Sequence, residues 1–341
     1  MTQAAAVEFL VPLWQRVLQQ PSVRVNDNFF DLGGNPSLAE RMFAEIAERY
    51  GRDLAPVLIY RAPTIATLAE LLDKPDPPRV PPIVLLKAGP DFPIFIAHGI
   101  SGTVLGFFHL VEKMKCSQSI YGMQARGIDG VDKPFTTIEA MAQFHLDAIK
   151  ELQPGGPYFL IGYSLGGLVV LEIARHLLAE GEKVALLALV DSYPHKNHLS
   201  ASQRMHLSLS VTKRRVGSLM KSALGRNRAR TSADKDGNPP HRSHHSALPA
   251  DGVAQWMEDT GYVAWERYHP HFYPGTIRFV RAEISTYFPE DPTAVWSHLA
   301  AKFTVETVPG NHVGMISTSY EGLAAVLSRY VNEASVAKSG G

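Results

Sequence analysis

One stretch constrains this chain more than any other: Tyr158-Phe-Leu-Ile-Gly162-Tyr163-Ser164-Leu165-Gly166-Gly167. An apolar strand pattern runs directly into G-x-S-x-G, and Leu168, Val169, Leu171, Ile173 and Ala174 continue it with helical spacing. A strand that turns into a helix within so few residues needs neighbours without side chains, which Gly162 and Gly166 supply. Such a turn lifts Ser164 above the end of the strand. It also points the backbone N–H of Leu165, at the positive end of the new helix, toward any negative charge developing beside the serine. Ser164 is therefore the candidate nucleophile and Leu165 a candidate oxyanion-hole donor. A glycine-rich turn with an incidental serine would not require both the preceding strand and the following helix.

The surrounding sequence supplies the sheet. Strands are predicted at Ile83–Leu86, Pro93–Ala97, Ile120–Met123, Tyr158–Ile161, Val184–Val190, Ile277–Val280 and Phe303–Thr307, with helices at Thr137–Leu152, Leu168–Glu180 and Tyr320–Asn332. Continuous apolar strands separated by helical patterns indicate an α/β fold, a mostly parallel sheet with helices on both faces. An insert from about Pro194 to Asp259 breaks the alternation. It carries Lys213, Arg214, Arg215, Lys221, Arg226, Arg228 and Arg230 without interleaved aromatics. A solvated face that docks an acidic partner accounts for it better than nucleic-acid binding does.

A nucleophilic serine of this kind takes its partners in the order serine, acid, histidine. Asp191 ends the apolar run Val184–Val190, where a carboxylate needs a partner, and is the candidate acid. Glu283, at the end of the next strand pattern, is the runner-up. His312 follows the last strand pattern in the turn Val308-Pro309-Gly310-Asn311-His312 and is the candidate base. His269 and His271 precede a strand and are weaker candidates. A second oxyanion donor is expected from the loop after Pro93–Ala97, with the N–H of Ile100 the choice. His98 stands on the wrong side of the serine for this order and is read as structural. The chemistry calls for no metal, and no metal ligand set is identified.

Ahead of the sheet lies a different kind of segment. Val7, Leu10, Leu13, Trp14 and Val17 repeat at helical spacing, a second helix is predicted at Pro36–Tyr50 and a short one at Pro63–Leu72. Asn35 is a good cap and Pro36 a good first helical residue for the second of these. Lys74-Pro-Asp-Pro-Pro-Arg-Val-Pro-Pro82 cannot continue a helix and reads as an interdomain linker. The expected division is thus a helical domain at 1–73, a linker at 74–82 and a catalytic domain at 83–336.

Lysine plus arginine equal aspartate plus glutamate at 33 each, so net charge gives no reason to expect nucleic acid or a membrane as partner. No apolar run approaches the length of a membrane span. The N-terminus has no basic segment ahead of an apolar one, and the single cysteine, Cys116, excludes an internal disulfide. Both fit a cytoplasmic setting.

The pieces "IFIAHGISGTVLGFFHL", "QPGGPYFLIGYSLGG", "ALLALVDSYP", "YHPHFYPGTIRFVRA" and "VPGNHVGMI" resemble the type I thioesterase domains of nonribosomal peptide and polyketide synthetases. The resemblance implies an α/β-hydrolase fold, the roles above for Ser164, Asp191 and His312, and a helical lid at about 194–259. The segment "VNDNFFDLGGNPSLAERMFAEI" resembles a peptidyl-carrier domain, a four-helix bundle that carries 4'-phosphopantetheine on a serine two residues after a glycine pair. Here Pro36 occupies that slot and Ser37 comes one residue late, about 100° further round the helix axis. Either Ser37 bears the arm, attached by a phosphopantetheinyl transferase, or the domain docks without one. The function implied is release of an acyl or peptidyl chain delivered as a thioester by upstream synthetase modules. The alternatives are a free-standing esterase or acyl-CoA hydrolase with a degenerate carrier, and a front domain serving mainly as an interaction module.

Overall fold

Local signals start and stop the helices of the front domain. In the computed structural model, which describes residues 2–51, 54–74, 79–195, 250–285 and 291–336, α1 spans Gln3–Leu18 and α2 spans Pro36–Tyr50. The Asn35 side chain accepts the Leu38 N–H at 3.1 Å, Pro36 is the first residue of α2, and Gly51 closes it in the left-handed conformation at φ 63°. A 3-10 turn, Pro56–Tyr60, stands where a bundle would have its third helix, and α3 covers Ile65–Asp73 behind a Thr64 capping box. Leu10, Leu13, Trp14, Phe29, Phe43 and Leu68 belong to one core, which these elements enclose.

The remaining elements build a seven-stranded sheet in the order β1-β3-β2-β4-β5-β6-β7. The strands are β1 Ile83–Lys87, β2 Asp91–Ala97, β3 Gln118–Met123, β4 Tyr158–Tyr163, β5 Val184–Val190, β6 Tyr273–Ile284 and β7 Ala300–Asn311. Only β1 runs antiparallel to its neighbour; every other pairing is parallel. One face is covered by α5 (Ile138–Leu152) and α6 (Leu165–Ala179), the other by α4 (Phe108–Lys113) and α8 (Tyr320–Val336), with a helix α7 at Ala250–Arg267. Burial on both faces explains why β4 and β5 read as continuous apolar runs rather than alternating ones.

Two elements depart from expectation. β7 continues through Val308, Pro309 and Gly310 to Asn311, where the sequence predicts a turn. Pro309 and Gly310 fall where the β6–β7 register shifts, between the Ala282–Val308 and Ile284–Asn311 pairs, and an irregularity on an edge strand tolerates a proline. α7 begins inside the expected helical lid and runs past its expected end at 259 to Arg267, burying Val253, Met257 and Ala264 at helical spacing. Most of the expected lid, residues 196–249, lies outside the described residues, as do the basic stretch 213–230 and linker positions 75–78.

The two domains touch through aromatic rings. Phe30 of the front domain stacks on its own Tyr60 at 5.0 Å and on Phe108 of α4 at 5.3 Å. Val57 packs into the core on the α4 side of the sheet, and Arg61 donates to the Arg79 carbonyl at 3.0 Å.

Candidate active site

Three parallel strands, β4, β5 and β7, end at the three residues of interest. Ser164 follows β4 with φ 54° and ψ −121°, and Asp191 follows β5 with φ 46°. A positive φ at a residue with a side chain costs about 1–3 kcal/mol and persists only where neighbouring structure holds it. Here the hold is a pair of hooks across the sheet: the Ser164 N–H donates to the Val190 carbonyl at 2.9 Å, and the Asp191 N–H to the Val280 carbonyl at 2.7 Å. The glycines permit the bend. A Cβ on Gly162 would collide with the Gly166 carbonyl, and one on Gly166 with the His98 carbonyl.

His312 stands immediately after β7 and reaches back to both. Its Nε2 lies 3.1 Å from Ser164 Oγ and its Nδ1 lies 2.8 Å from Asp191 Oδ2. An ionised carboxylate can only accept, so Nδ1 carries the proton and Nε2 is left to accept one from the serine. Asp191 is buried, and its Oδ1 accepts the Ala282 N–H at 3.4 Å. The loop after Asp191 is pinned from two sides: the Trp296 indole donates to the Ser192 carbonyl at 3.0 Å, and the Trp265 indole to the Tyr193 carbonyl at 2.8 Å.

The other candidates fall elsewhere. Glu283 is exposed on β6, and His269 and His271 are exposed in the loop before it. His98 is buried with Nδ1 2.6 Å from the Gly99 carbonyl, and its ring meets that of buried His145 at 5.9 Å. Burial lowers the pKa of both imidazoles, well below the ordinary value for His145.

Ile100 and Leu165 line one cleft with Ser164 and His312. Neither backbone N–H has a protein acceptor among the described residues. Two unused donors beside a nucleophile can stabilise an oxyanion. Tyr163 was not singled out from the sequence. Its ring stacks on the His312 imidazole at 4.9 Å and its hydroxyl donates to the His312 carbonyl at 2.9 Å. Burial raises its pKa and keeps that donor protonated. The available signal was a tyrosine ending a buried strand, since its hydroxyl must find a partner there.

In the front domain Ser37 is exposed in the first turn of α2. Its hydroxyl has no partner among the described residues, because Asn35 already serves the Leu38 N–H. An accessible hydroxyl at the positive end of a helix suits a phosphodiester. The residues present therefore fit a phosphopantetheine arm, shifted one position from the slot filled by Pro36.

Two family models match the chain. Residues 8–72 match the family described as phosphopantetheine attachment site, and residues 92–233 match the thioesterase domain family. The chain is 37% identical over 190 residues to a dimodular nonribosomal peptide synthase of Bacillus subtilis, covering 55% of this chain and 8% of that protein. It is 33% identical over 284 residues to malpibaldin synthetase of Mortierella alpina, covering 80% of this chain and 5% of that one. The chain thus spans only a small part of the synthetases it matches. Among solved structures, a four-domain nonribosomal peptide synthetase aligns over 96% of this chain and 26% of its own at 21% identity, with TM-score 0.57. The NocB thioesterase domain aligns over 71% of this chain and 96% of its own at 21% identity, with TM-score 0.51. At these identities the structural matches speak for the fold alone.

Proposed function

This chain joins a phosphopantetheine-attachment domain to a thioesterase domain of the α/β-hydrolase type, and from that premise we propose that it releases acyl or peptidyl chains from thioester linkage through an acyl-enzyme on Ser164. The observation that carries the reading is the unbroken chain of contacts from Ser164 through His312 to Asp191.

The chemistry follows from the geometry. His312 Nε2 takes the Ser164 hydroxyl proton as Oγ attacks the thioester carbonyl. The N–H groups of Leu165 and Ile100 hold the negative oxygen of the tetrahedral intermediate. When it collapses the carbon–sulfur bond breaks, and the departing thiolate takes the proton from His312. Asp191 stabilises the imidazolium in between and keeps the proton on Nδ1 in the resting state. Water, or an amine or hydroxyl of the bound chain, then passes a proton to His312 and attacks the ester carbonyl. Ser164 recovers its proton, and a free acid or a ring leaves.

4'-Phosphopantetheine supplies a flexible thiol on which the chain arrives, and Ser37 is the residue of this domain that would bear it. Upstream synthetase modules, or a separate carrier, are the proposed source of the chain. Pro36 in the attachment slot favours a second reading, in which the thioester comes from another protein or from coenzyme A. Comparing turnover of carrier-bound thioesters with acyl-CoA separates the two. The primary test is covalent labelling: a fluorophosphonate should add one adduct to the wild-type chain and none to Ser164→Ala. Labelling that survives the substitution refutes the assignment.

A further inference from the structure

The cleft above Ser164 has a volume of about 620 Å³, in the range of small-molecule sites. One wall is α7. Glu258, Tyr262 and Trp265 lie four and three residues apart along it, so they share one face of the helix, and all three line the cleft with Ser164 and His312. Tyr193, after β5, adds a third ring.

That wall is fixed in place. Tyr268, the residue after α7, donates to buried Glu172 of α6 at 2.9 Å, and the Trp265 indole is tied to the Tyr193 carbonyl. The ring of His195 meets Trp265 edge-on at 4.7 Å. A Cβ on Gly261 would come within 2.8 Å of Ile100, so α7 passes directly against the oxyanion loop.

The chemistry of the lining is one-sided. Among the described lining residues Glu258 is the one carboxylate, and there is no lysine or arginine. Glu258 has no cationic partner among the described residues. The Tyr262 ring beside it is 54% exposed. Glu258 is exposed and keeps its water, so a neutral chain gains nothing from it. A cation would gain twice, from the carboxylate and from the electron-rich faces of tyrosine and tryptophan rings.

Resting on the thioesterase reading above, we infer that the acyl chain this site accepts carries a positively charged group, an alkylammonium or guanidinium, held by Glu258 together with Tyr262 and Trp265. The charge is recognised on the α7 wall while the thioester carbonyl sits between Ser164 and the oxyanion donors. The three side chains are specificity determinants and take no part in bond making.

The test uses the full chain and two pantetheine thioesters of identical shape. One bears a trimethylammonio-hexanoyl chain and the other its tert-butyl isostere, in which carbon replaces the charged nitrogen. Neither can cyclise. The wild-type chain should favour the cationic thioester by about three- to fivefold in kcat/KM, the scale of an exposed cation–π contact. The ratio should collapse toward one in Glu258→Gln and fall in Trp265→Leu. Glu258 is on the surface, so the first variant tests charge without disturbing the core. A wild-type ratio near one, or a ratio unmoved by Glu258→Gln, overturns the inference while turnover itself leaves the thioesterase reading standing. If neither thioester is cleaved, the thioesterase reading fails and this inference fails with it.

Discussion

The Tyr163 hydroxyl donates to the main-chain carbonyl of His312 at 2.9 Å while its ring lies against the imidazole of the same residue, 21° from parallel. A residue from the serine turn thus grips the histidine from a loop 149 positions later. The grip fixes both the height and the tilt of the ring that must receive the serine proton. We predict that Tyr163→Phe, which keeps the stack and removes the hydrogen bond, lowers kcat about tenfold with KM little changed. Steady-state kinetics on a thioester substrate decides it; full activity in the variant would make Tyr163 mere packing.

Asp191 and Glu283 both end strand patterns, yet only the first meets His312. Asp191→Asn should present the wrong hydrogen-bonding atom to Nδ1 and lower kcat by about 10⁴ with the fold intact. Glu283→Gln should retain wild-type rates. Reversed results would show that the acid had been misassigned.

Two imidazoles, His98 and His145, are buried side by side, and burial depresses both pKa values from 6.5. In the unfolded chain each takes a proton below about pH 6.5, while the folded chain resists it. The unfolded state therefore binds more protons there, and stability must fall as the pH drops below that value toward the folded-state pKa values. Denaturant midpoints should be flat from pH 7 to 8 on this account and decline on acidification below about pH 6.5. His145→Phe should flatten that acid limb. The same slope in wild type and variant would mean other groups control it.

Incubation with coenzyme A and a broad-specificity phosphopantetheinyl transferase should add one arm to the chain, mapped by peptide sequencing to Ser37 and absent from Ser37→Ala. The exposed position of the hydroxyl in the first turn of α2 is the ground for expecting it. An unmodified wild-type chain would leave the front domain as a docking module.

The front-domain contact was illegible before folding for a simple reason. Phe30 reads as an ordinary apolar residue of its own domain, and nothing near it names Phe108 as the ring it will stack on. The extent of α7 beyond the expected lid was illegible for another reason. Its buried residues Val253, Met257 and Ala264 are spaced as a helix requires, but a polar, proline-bearing stretch precedes them and masks the pattern.

What the sequence determined by itself is local. The serine turn is encoded within ten residues, because strand period, glycine steric freedom and helix period all act over that range. The caps of α2 are of the same kind. The tertiary structure alone decided which acid faces the histidine and how far β7 runs before His312 leaves it. It also decided that Tyr163 holds His312 and that Glu258 faces the serine across a cleft. Those contacts join positions as much as 149 residues apart. They exist only because parallel strands end together at one edge of a sheet, a coincidence in space that no spacing along the chain records.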